Sequence, residues 1–70
     1  MKTADLKIHI ATEVAKLLMD EYGWRYNKCF SMAVMSKWFS ENQTYKELEN
    51  TDIHDVYGSV KQQIDNNEIL

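Results

Sequence analysis

Lys28-Cys29-Phe30-Ser31-Met32-Ala33-Val34-Met35-Ser36-Lys37-Trp38-Phe39-Ser40-Glu41 is the stretch on which the reading of the fold turns. At about 100° per residue, Phe30, Ala33, Val34 and Trp38 share one face of a helix, and Met32, Met35 and Phe39 share nearly the opposite one. A helix apolar on both sides is buried between neighbours. The spacing therefore predicts a central helix over 28–41 with the rest of the chain packed around it. Asn27 stands where an N-cap is wanted, since its short amide side chain can accept from a free first-turn N–H.

Working outward, 5–22 carries Ala11, Val14, Ala15, Leu18 and Tyr22 at spacings of three and four, the pattern of an amphipathic helix. Gly23 follows as a left-handed C-cap. Leu6-Lys7-Ile8-His9-Ile10 alternates as a strand does, but the chain offers no second strand to pair with it. Downstream, Thr44-Tyr45-Lys46-Glu47 has the spacing of a capping box and opens a short helix to Leu48 or Glu49. Thr51 or Asp52 then caps a last helix with Ile53, Val56, Tyr57, Val60 and Ile64 in register. Gly58 costs that helix about 1 kcal/mol relative to alanine, which close packing against a neighbour would explain. Asn66-Asn67 ends it, leaving Ile69 and Leu70 to dock or fray. The expected fold is all-α: one domain over 1–70, a three- to four-helix bundle around a buried central helix.

Composition narrows the function. Seventy residues form one small domain, which buries only about 60% of its unfolded surface and has little room to enclose a substrate. Eight Lys and Arg against eleven Asp and Glu leave a net charge of −3, the wrong sign for a chain built to sit on phosphates. The charge is uneven. Residues 24–42 carry three cations and one acid, whereas 44–70 carry two cations and six acids. Such a segment is either a solvated helix face or a surface that steers a basic partner. Cys29 is the single cysteine, so no disulfide forms within the chain, and a reducing cytoplasm is the expected compartment. Charges at Lys2, Asp5 and Lys7 interrupt any signal-peptide core, and the longest uncharged run, Cys29 to Ser36, is far short of a membrane span.

Signs of chemistry are sparse. His9, Cys29 and His54 sit in three separate segments with no metal-ligand spacing, and His9 with Glu13, one helical turn apart, reads as a surface pair. Cys29 with His54 and Asp52 or Asp55 is a formal thiol-enzyme set, but a lone cysteine among apolar residues is more commonly plain core. The acid pairs Asp20-Glu21 and Asp52 with Asp55 read as caps and surface, and there is no glycine-rich loop for a phosphate. No enzyme activity, cofactor or metal is expected.

Two binding readings remain. Seven of the eight aromatic residues fall between Tyr22 and Tyr45, together with Met32 and Met35. Aromatic residues and methionine are enriched in interface cores. Two flanking helices can cover only part of a helix apolar on both sides, so Met32, Met35 and Phe39, with nearby Trp24, are the candidate partner-binding residues. Glu47, Glu49, Asp52 and Asp55 would form an acidic rim, and the partner would be another protein or a second copy. The competing assignment is that the Tyr45–Leu48 segment and the tail cover that face. The alternative function is a helix-turn-helix-like DNA-binding regulator using Arg25, Lys28 and Lys37, with Trp24-Arg25-Tyr26 stacking on bases. Asp52, Asp55 and Asp65 on the last helix argue against it.

Phe30…Ser36, Thr44-Tyr45-Lys46-Glu47-Leu48 and Val56-Tyr57…Val60 resemble elements of small helical bacterial families of uncharacterised function. Some of these neighbour toxin-like genes, such as ADP-ribosyltransferase-like ones. The resemblance covers less than half the chain and brings no catalytic signature. It implies an antitoxin or accessory role.

Overall fold

The first helix, α1 (Thr3–Tyr22), runs the full length of the molecule. Its 20 residues at about 1.5 Å each match the 30 Å long axis of the protein. In this computed structural model, which describes residues 2–69, the alternating Leu6–Ile10 stretch lies within that helix. Asp5 sits in its first turn, where a negative charge complements the helix dipole. Gly23 ends it with φ 71°, and its N–H donates to the Met19 carbonyl at 2.8 Å. This is the left-handed closure that glycine enters at least cost.

Four further helices follow: α2 (Tyr26–Val34), α3 (Lys37–Glu41), α4 (Tyr45–Glu49) and α5 (Ile53–Asp65). No strand occurs among the described residues, so the all-α expectation holds. The finer expectation, a bundle of three to four helices around a buried central one, is not confirmed: five helices are present among the described residues. Only α1, α2 and α5 exceed two turns, and the helix anticipated over 28–41 is broken in two at Met35-Ser36. Ser36 is extended (φ −67°, ψ 156°) and buried. Its hydroxyl donates to the Ala33 carbonyl at 2.7 Å and accepts from the Phe39 N–H at 3.4 Å, capping α3. From α5, the Gln63 Oε1 accepts from the Lys37 N–H at 2.7 Å, satisfying a second first-turn donor of α3.

The element at the centre is α1, which packs against α2, α4 and α5. Ile10, Ala11, Val14, Ala15 and Leu18 form its buried side. Around them close Cys29, Met32 and Ala33 of α2, Phe39 of α3, Leu48 of α4, and Val56, Val60 and Ile64 of α5. The caps at α4 and α5 follow the sequence. Thr44 accepts from the Glu47 N–H while the Glu47 carboxylate accepts from the Thr44 N–H at 2.9 Å, a complete capping box. The Asp52 carboxylate accepts from the His54 N–H at 2.8 Å. Asn67, at φ 58°, turns the chain out of α5, and Ile69 packs back on the core. Leu70 lies outside the described residues.

Two smaller expectations are corrected. The N-cap of α2 is Arg25 rather than Asn27, and it makes no side-chain cap. Aromatic packing sets that start: Trp24 stacks on Tyr22 at 4.4 Å and Tyr26 lies 5.7 Å from Phe30, so the connector spans only 23–25. Gly58 faces open space, with nothing within 4 Å of where a Cβ would stand, so close packing does not account for it. Among the described residues, no helix is long and apolar enough to cross a membrane.

Candidate protein-interaction surface

The turn at 23–25 sends α2 back along α1. The Tyr26 hydroxyl reaches within 3.3 Å of the Thr12 hydroxyl, and at the other end Phe30 and Val34 lie beside Ala4 and Ile8. Tyr26, Phe30 and Val34, four residues apart, form one stripe of α2. Ala4, Ile8 and Ala11 form the matching stripe of α1. Only the inner halves of these stripes reach the core. Ile8 is 56% exposed and Val34 47%, and Tyr26 is also exposed. Between them runs an open groove of about 320 Å³ whose lining is apolar apart from Lys7, with Phe39 at its floor.

Met35, at 66%, is the most exposed large apolar residue among those described, and it ends α2 on the side away from the buried Cys29, Met32 and Ala33. Of the residues that the continuous helix would have presented together, only Met35 is on the surface. Met32 and Phe39 belong to the core. Trp24 is half-buried, with Tyr22 on one face and the Lys28 ammonium 4.0 Å from its ring centroid. Tyr22 also donates to the Asp65 carboxylate at 2.6 Å, and Lys61 pairs with that carboxylate at 2.9 Å. The Lys61 ammonium and the Tyr22 hydroxyl hold the Asp65 carboxyl below its ordinary range. This network pins the end of α1 to the end of α5 and leaves neither face of Trp24 free for stacking on a base.

The acidic residues fall elsewhere. Asp52 borders a shallow groove with Glu13 and Asp20 on a different side of α1, since Glu13 lies about 140° around the helix from Ile8. Two of the four rim candidates are engaged locally. Glu47 closes the capping box, and the Thr44 N–H it accepts pulls its carboxyl below the ordinary range. Asp52 caps α5 and has His54 Nδ1 at 3.7 Å. Glu49 and Asp55 are exposed and stand in no ion pair within 4 Å among the described residues. None of these four acids lines the α1–α2 groove.

The Cys29 thiol is fully buried and donates weakly to the Trp24 carbonyl, 3.9 Å away. Burial pushes its pKa up, the opposite of what a thiolate nucleophile requires. No group of three His, Cys, Asp or Glu among the described residues is arranged to hold a metal.

Ile8, Phe30 and Val34 carry the surface, and sequence reasoning placed them elsewhere. Periodicity puts Phe30 and Val34 on the other face of a continuous helix, and Ile8 in the alternating Leu6–Ile10 stretch. The four-residue spacing of Tyr26, Phe30 and Val34 was the signal available for them. Compared with protein-family models, curated proteins and solved structures, the chain matches none.

Proposed function

We propose that this chain is a non-catalytic helical module that works by binding another protein through the α1–α2 surface. One observation carries the reading: Ile8 and Val34, both about half exposed, face one groove whose lining is apolar apart from Lys7. Patches of this kind mark interaction sites when the surrounding surface is polar. The antitoxin-like or accessory role implied by the resemblance to small bacterial families belongs to the same reading, since such a protein acts by occupying its partner. A reducing cytoplasm suits a chain whose only thiol is buried and unpaired.

DNA binding has less support. The helix that would follow the turn at Met35-Ser36 is five residues long and contributes Phe39 to the core, and Lys28 is engaged with Trp24.

Photo-crosslinking tests the reading. With benzoylphenylalanine at position 34 in cells of the source organism, a discrete adduct of higher mass is expected, and Ile8→Asp should abolish it. The same probe at position 62, on an exposed site of α5, should give none. No adduct from position 34, or equal adducts from both positions, overturns the reading.

A further inference from the structure

We propose that the occupant of the α1–α2 groove is an amphipathic helix of a partner protein, with an acidic residue beside its apolar stripe that pairs with Lys7. The inference rests on the binding role assigned to this surface and adds the chemistry of what it takes.

The first argument is hydrogen bonding. Both walls of the groove are helical, residues 4–11 and 30–34, and the backbone groups outside the intrahelical ladder are confined to the first turn of α1 and the last turn of α2, which offer no strand-like row of partners. No unpaired sheet edge exists among the described residues. An extended segment laid here would lose water from its own N–H and C=O groups and gain no partner, a cost a helix avoids. The second argument is length. Ala4 to Ala11 spans about 10 Å along α1, which matches apolar residues at i, i+4 and i+7 of an incoming helix.

Charge supplies the third. Lys7 is the only ionisable residue lining the groove, and no acid does. Its ammonium donates to the neutral Gln43 amide oxygen and forms no ion pair within 4 Å among the described residues. A carboxylate on the incoming helix meets an uncompensated cation at the edge of an apolar surface, where screening is weaker than in open solvent. Charge also argues against a second copy. A symmetric dimer sets the same patch against itself, bringing two Lys7 side chains into one interface with no acid between them.

Two synthetic helices test this, each held by a staple on its outer side, with leucines at i, i+4 and i+7. One carries glutamates beside the stripe and its twin carries lysines. Titrated into ¹⁵N-labelled protein at low salt, the glutamate helix is expected to shift the amides of Ala4, Ile8, Phe30 and Val34. It should bind about fivefold more tightly than its twin, with the preference fading at high salt and reversing in Lys7→Glu. Equal affinities with the same amides moving would overturn the acidic partner while leaving the apolar surface in place. If neither helix moves those amides, the helical occupant is overturned, and crosslinking from position 34 separately decides the broader reading. A doubling of molar mass with concentration, with those amides broadening, would give the groove to a second copy and overturn the proposal.

Discussion

Ser36 is the one buried polar side chain among the described residues, and it marks where α2 gives way to α3. Its hydroxyl satisfies two backbone groups at once, the Ala33 carbonyl and the Phe39 N–H. The extended backbone at this single residue interrupts the helical register and starts α3, which carries Phe39 into the core, while Met35 keeps the outward direction it has on α2. Alanine at 36 would leave the Phe39 N–H without its acceptor inside the core. Ser36→Ala is expected to destabilise by about 1–2 kcal/mol, read as a lower urea midpoint with an unchanged slope. The sequence offered the clue, since serine is among the preferred N-caps. No Glu or Gln at Phe39 completed a capping box, and an unbroken apolar pattern concealed the stop.

Among the elements, α3 and α4 have five residues each, too few to be stable alone, and both depend on their ends. The Thr44–Glu47 box holds α4, and the Lys61–Asp65–Tyr22 network holds α5 against α1. Both carboxyls sit below their ordinary values of 4.5 for Glu47 and 3.8 for Asp65. A carboxyl with a lower pKa folded than unfolded binds protons first in the unfolded state, so acidification favours unfolding. Its contribution is complete above the unfolded value and disappears as pH falls through the folded one. The urea midpoint should accordingly stay level from pH 8 to about 5.5 and drop below about 4.5. The variant Glu47→Gln with Asp65→Asn should be less stable at neutral pH and lose less on acidification. Parallel curves for the two proteins would show that these carboxyls do not set the acid limb. Caps of this kind are legible because they act within four residues, and Thr44, Asp52 and Gly23 stand where the sequence placed them.

At the scale of the whole molecule, the hydrophobic side of α1 organises the core while its adjoining stripe remains outside with the outer face of α2. Phe39 and Met35 separate the two roles, being 3% and 66% exposed. A chain of this length is held together by about 4–10 kcal/mol, and a carboxylate in place of a buried phenylalanine consumes most of that. Phe39→Asp is expected to abolish the cooperative unfolding transition seen by circular dichroism, whereas Met35→Asp should stay within about 0.5 kcal/mol of the parent. A collapse of both variants would place Met35 in the core. The sequence by itself determined the helical class, the end of α1, the caps of α4 and α5, and the inward stripe of α5, because each depends on periodicity or on groups a turn apart. Tertiary structure decided which helix is central, where the middle of the chain breaks, and that Ile8, Phe30 and Val34 share one groove. The physical reason is that a stripe's spacing defines a face but not its cover: only the packed neighbours determine which apolar side chains lose their water.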